Sequence, residues 1–109
     1  MFGDFGKMLK IASQVKAKMP EIREKIESST HTAEAGGGAV SATVGGKMEL
    51  VDLRIAPELL AEADAALVED AVKAAVAAAQ KQAAEFARDA MLELTGGEQV
   101  DGLNDMLGL

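Results

Sequence analysis

The chain has 109 residues, enough for one domain with a modest core. It contains no cysteine and one histidine, which excludes disulfides and thiolate metal sites. Its net charge of −7 is opposite to the usual sign of a nucleic-acid binder, and its longest nearly uncharged stretch, Ala74 to Gln80, is far short of the about 20 apolar residues that span a bilayer.

The opening Met-Phe-Gly-Asp-Phe-Gly-Lys carries an early acid and no long apolar run, unlike a secretory signal, so a soluble cytosolic protein is expected. From Phe5, apolar residues follow at Met8, Ala12, Val15, Met19, Ile22 and Ile26. Steps alternating between three and four residues make a heptad seam, which calls for a helical partner. Asp4 is placed to cap this helix, and Pro20 predicts a kink near Lys18–Pro20 or two helical pieces in tandem. Basic residues flank the seam (Lys16, Arg23, Lys18, Lys25), which disfavours parallel pairing of two copies and favours an acidic neighbour.

Thr30 to Ala35 reads as a short strand, and Gly36-Gly37-Gly38 turns the chain. Val40, Ala42 and Val44 alternate with Ser41 and Thr43 in a half-buried strand, and Gly45-Gly46 signals a tight hairpin of the primed type. A third strand spans Lys47 to Ile55. Its apolar parity changes between Leu50 and Val51, which means either a bulge or cover on both faces; in a homodimer, cover is the simpler account. Pro57-Glu58-Leu59-Leu60 makes one helical turn. Asp64 then caps a long alanine-rich helix to about Leu94, with the stripe Val68, Val72, Ala75, Ala79, Ala83, Phe86, Ala90 and Leu94. Gly96-Gly97 stops it. The fold class is therefore α+β, a single α-β-β-β-α domain over residues 1–97 with a three-stranded antiparallel sheet. Residues 98–109 form a short amphipathic tail patterned by Leu103, Met106, Leu107 and Leu109.

The inventory of reactive groups argues against an enzyme. His31 has no evident orienting carboxylate and reads as a surface or turn residue. Neither glycine cluster is followed by the Lys-Ser/Thr pair of a phosphate loop. No oxygen-rich calcium loop occurs, so no metal and no cofactor are expected.

What remains is charge. Residues 1–30 hold six basic side chains against four acidic, a net of +2, and every later segment is negative. Lys7, Lys10, Lys16, Lys18, Arg23 and Lys25 are candidates for phosphate contact, each contact releasing counterions and making binding salt-dependent. The competing reading pairs them with acids of the long helix: Asp64, Glu69, Asp70, Glu85, Asp89 and Glu93. No aromatic residue is interleaved for stacking on single-stranded bases.

An ordered set of segments adds to this. It comprises the Met-Phe-Gly opening, the Met8-to-Ile26 seam, Gly36-Gly37-Gly38-Ala39-Val40, and Ala42-Thr43-Val44-Gly45-Gly46. Val51-Asp52-Leu53-Arg54-Ile55 then runs into Pro57-Glu58-Leu59-Leu60, followed by Val68-Glu69-Asp70-Ala71-Val72, Met91 and Leu94-Thr95-Gly96-Gly97. In this order the chain resembles the YbaB/EbfC family of bacterial nucleoid-associated proteins. The resemblance implies a tight homodimer with helices projecting like tweezers, located in the cytoplasm with the nucleoid. It implies DNA binding with little sequence preference through helix basics, of which Lys10 and Lys18 match best. The expected dimer interface is Val40, Ala42, Val44, Leu50, Leu53, Ile55, Val72, Ala75 and Ala79. The chain departs from the usual pattern at Pro20 and in the six acids of its second long helix. The alternative is an acidic dimeric adaptor for DNA-repair or replication proteins that barely touches DNA.

Overall fold

The computed structural model describes residues 2–95. Met1 and residues 96–109, with the expected Gly96-Gly97 stop and the Leu103, Met106, Leu107, Leu109 pattern, lie outside the described residues. The elements are α1 (Phe2–Glu27), β1 (Thr30–Ala35), β2 (Val40–Gly45), β3 (Leu50–Ile55), α2 (Pro57–Ala61) and α3 (Ala65–Leu92), closed by a 3-10 turn at Glu93–Thr95. The strands form one antiparallel sheet in the order β1-β2-β3.

The sheet has two different faces because its strands alternate. Ala33, Val40, Ala42 and Val44 are buried against Ala71, Ala75, Ala79 and Ala83 of α3. Alanine suits this contact: it favours the helix and lets the α3 backbone lie close to the strands. The opposite face is polar. Thr32 pairs with Thr43, their hydroxyl oxygens 2.7 Å apart, and Thr43 pairs with Asp52. α3 begins at its expected cap, where Asp64 Oδ1 accepts a hydrogen bond from the Leu67 amide at 3.2 Å.

α1 packs on the end of α3 instead of on the sheet. Ile22, Ala90 and Leu94 are buried together, with Val15, Met19, Ile26 and Met91 around them. The end of α1 meets α3 near Phe86, and Val15 still touches this cluster about three turns earlier. The two helices are therefore antiparallel here. The N-terminal half of α1 continues past the contact, giving a molecule of 69 × 21 × 18 Å.

Four local expectations change. α1 is helical without a break from Phe2 to Glu27, so the two tandem pieces, one of the outcomes expected at Pro20, do not form. The proline removes one backbone donor, but the turns on both sides of it bury the same stripe on α3. The helix starts at Phe2, so Asp4 lies in its first turn, not at its cap. Gly45-Gly46 is not a two-residue hairpin: the connection runs through Gly46–Glu49, with Met48 at φ 69°. Gly46 is required for a different reason, since a Cβ there would overlap the Ile26 carbonyl at the end of α1. Finally, a bulge accounts for the parity change in β3. Thr43 pairs with Asp52 and Val44 with Leu50, leaving Val51 as the extra residue.

Candidate nucleic-acid interface

Lys7, Lys10, Lys16, Lys18, Arg23 and Lys25 are all exposed along α1. At 100° per residue, Lys7, Lys18 and Lys25 fall within about 20° of one another. Lys10 sits further around the same flank, and Lys16 and Arg23 share the other. The cations thus bracket the stripe Val15, Met19, Ile22 and Ile26 that packs on α3.

Their partners decide between the two electrostatic readings. Lys25 is held by α3, its Nζ 2.8 Å from Glu93 Oε1 and 5.8 Å from the centre of the Phe86 ring. Among the described residues, the salt bridges are Lys25–Glu93, Arg54–Asp52 and Lys73–Asp70. Lys7, Lys10, Lys16, Lys18 and Arg23 therefore have no carboxylate within 4.0 Å among the described residues. Among the described residues, five of the six cations thus have no carboxylate partner: Lys7 and Lys10 on the projecting half of α1, and Lys16, Lys18 and Arg23 beside the stripe that packs on α3. Residues 1–18 hold four lysines against one aspartate, a net of +3, and the rest of the chain sums to −10. α3 offers exposed Lys73, Lys81 and Arg88 among its acids, with Lys73 3.8 Å from Asp70.

The expected interface residues divide sharply. Val40, Ala42 and Val44 of the sheet and Ala75 and Ala79 of α3 are fully buried against one another inside the protomer. They are core positions. Ile55 and Val72 are half-buried. Leu50 and Leu53 are 47% and 37% exposed, on a strand with its outer edge unpaired. Leu53 pairs with Ala42 and so faces the α3 side of the sheet, beyond the cover of α3. Val51, absent from the expected set, is 54% exposed; the parity change at Leu50–Val51 is its signal in the sequence. Among the described residues the seam also has no partner over its first turns: Phe5 and Met8, with Leu9 beside them, are exposed.

His31 is half-buried in β1, its Nε2 2.9 Å from Ser29 Oγ and its ring centre 5.1 Å from that of Phe86. It fixes the start of β1 against α3 and has no carboxylate partner of its own among the described residues. No cluster of His, Cys, Asp or Glu suited to a metal ion occurs among the described residues. No described helix is long and apolar enough to cross a membrane.

The sequence profile of the YbaB/EbfC DNA-binding family matches residues 1–98. The chain belongs to that family. A nucleoid-associated protein of Clostridium acetobutylicum is 37% identical over 101 residues, covering 93% of this chain and 90% of the relative. One from Chlorobium phaeobacteroides is 40% identical over 104 residues, with coverage of 95% and 90%. Among solved structures, an uncharacterized protein from Helicobacter pylori superposes with a TM-score of 0.59 at 29% identity, covering 72% of this chain and 90% of that one. The α-β-β-β-α order of this YbaB/EbfC member, its open three-stranded sheet and its exposed basic helix form one consistent frame.

Proposed function

We propose that this protein is a nucleoid-associated protein that binds the DNA backbone through α1 as a homodimer, with little preference for sequence. The observation that carries this reading is the set of five cations on α1 without a carboxylate partner among the described residues, two of them, Lys7 and Lys10, on the part of the helix that projects beyond its contact with α3. α1 is about 39 Å long, comparable to one turn of the double helix at about 34–36 Å. Its lysines act as point charges for phosphates, contacts that position a duplex without reading its sequence. Screening over about 8 Å at physiological salt shields the approaching phosphates from the acidic body but leaves contacts at the ridge intact.

The dimer in this reading forms across β3. Leu50, Val51 and Leu53 present apolar area beside an open backbone edge, a combination that natural sheets normally cover. A second copy supplies the same edge and the same apolar strip, and a two-fold contact places two α1 ridges on one particle.

The test is a titration of duplex DNA at about 20 mM and at about 150 mM salt. The reading expects binding at low salt that weakens steeply at the higher value, by the release of about one counterion for each neutralised phosphate. Absence of binding at low salt with micromolar protein overturns it.

A further inference from the structure

The first turns of α1 combine two properties that no described element satisfies: apolar side chains in solvent, and positive charge without a partner. Phe5, Met8 and Leu9 are 63%, 68% and 56% exposed. Lys7 and Lys10 stand on the same turns and Lys16 about two turns further on, none with a carboxylate within 4.0 Å among the described residues. The chain itself contains the complement. Residues 96–109 carry Glu98, Asp101 and Asp105 and no basic residue, with Leu103, Met106, Leu107 and Leu109 interspersed.

We infer that this acidic, leucine-bearing segment docks on the N-terminal half of its own α1 and competes there with DNA, an inference that rests on the reading of α1 as the DNA-binding ridge. The reach fits. α3 runs antiparallel to α1, and Leu94 is buried against the α1 contact, so the segment that follows Thr95 starts beside α1. From Val15 back to Phe5 is ten residues of helix, about 15 Å. Eight extended residues from Thr95 to Leu103 span about 26 Å, which is ample. Six further residues to Leu109 come close to the seven-residue separation of Phe5 and Ala12.

The chemistry fits as well. Leucines over Phe5, Met8 and Leu9 remove apolar surface from water, and three carboxylates meet lysines that otherwise meet phosphates. DNA binding then requires the segment to leave. If the segment occupies α1 nine-tenths of the time, the apparent affinity for DNA is lowered about tenfold.

The experiment uses the full chain in three forms: unaltered, Leu103→Ser with Leu107→Ser, and Asp101→Asn with Asp105→Asn. Zero-length carbodiimide cross-linking without DNA reports docking directly, and duplex DNA titrations at low salt report competition. Docking predicts cross-links from Lys7, Lys10 or Lys16 to Asp101 or Asp105 in the unaltered chain, absent from the Leu-to-Ser form. It also predicts severalfold tighter DNA binding by both altered forms. A synthetic peptide of residues 96–109 added in trans should restore weak binding. Equal DNA affinity in all three forms with no such cross-links overturns the inference and leaves the DNA reading standing. Tighter binding only in the Asp-to-Asn form overturns docking too, because bulk charge then explains everything. If Met8→Ser dissociates dimers while the leucine changes have no effect, the face belongs to a second copy, which also overturns it. If no form binds DNA but the cross-links form, the DNA reading fails and docking survives as an intramolecular contact.

Discussion

The Nζ of Lys25 lies 2.8 Å from Oε1 of Glu93, and this bridge separates Lys25 from the other cations of α1. It ties the last turns of α1 to the turn after α3, at the far end of the contact that begins at Val15.

A first prediction concerns how the cations divide. Lys10→Gln or Lys18→Gln removes a free charge and leaves one phosphate per protomer without its cation. Each should therefore lower the slope of log affinity against log salt by about 0.9 per protomer, or about 1.8 in a dimer. Lys25→Gln should change that slope less, because its charge is already committed to Glu93. Fluorescence anisotropy with labelled duplex across a salt series measures all three. Equal slopes for Lys25→Gln and Lys10→Gln would mean that the bridge opens on the DNA.

The bridge itself should contribute little to stability. Both side chains are about half exposed, and exposed pairs contribute at most about 1 kcal/mol. Glu93→Gln should therefore shift the thermal midpoint by no more than a few degrees while making Lys25 available to phosphates. A denaturation curve and a DNA titration on the same variant check both halves.

Much of this arrangement is legible in the sequence, for reasons that can be named. β1 falls on Thr30–Ala35 and the cap on Asp64 because strand ends and helix starts carry short-range chemistry. Five core residues read instead as an interface, since alternation identifies a buried face but not whether a helix of the same chain covers it. Val40 and Ala42 look alike whether α3 or a second copy lies above them. The Gly45-Gly46 pair misleads because glycine has two uses: here it admits the Ile26 carbonyl, not a left-handed turn. At Pro20 the local cost suggests a break, but the seam of Val15, Met19, Ile22 and Ile26 runs through it in phase and packs on α3 as one stripe, so the helix is not divided. The candidate site is legible as charge, but which cation is already paired depends on three dimensions.

The two kinds of glycine should respond differently to alanine. Gly37 has φ +68° with open space around it, so Gly37→Ala should cost about 1–2 kcal/mol from the left-handed backbone alone. At Gly46 the new methyl meets backbone atoms of Ile26 and Glu27, which cannot move without displacing the end of α1. Gly46→Ala should cost more than Gly37→Ala, and it should loosen α1 specifically. Urea unfolding gives the ranking, and hydrogen exchange over residues 19–27 identifies the loosened element.

The alanine stripe of α3 sets the distance between helix and sheet. Ala75 and Ala79 are fully buried against the strands, with no room for larger side chains. Ala79→Leu should destabilise the protein by about 1–3 kcal/mol through overpacking. Ala77→Leu, on the exposed side of the same helix, should be close to neutral by the same thermal melt.

Leu53 separates the core reading of the sheet from the interface reading. Its neighbour across the ladder, Ala42, is fully buried under α3, whereas Leu53 is 37% exposed at the edge strand. A charge placed at Leu53 should be tolerated by an isolated protomer, because water already reaches the site. In a dimer built across β3 the same charge is buried next to its symmetry mate, with no partner to offset its desolvation. Leu53→Lys should therefore give monomers at micromolar concentration by sedimentation, with far-ultraviolet circular dichroism unchanged. It should also remove the concentration dependence of the unaltered protein's thermal midpoint. Loss of helical signal together with loss of the dimer would place Leu53 in the protomer's own core, and an unchanged dimer would move the interface away from β3. DNA affinity should drop along with the dimer, since one α1 ridge then meets half as many phosphates as two.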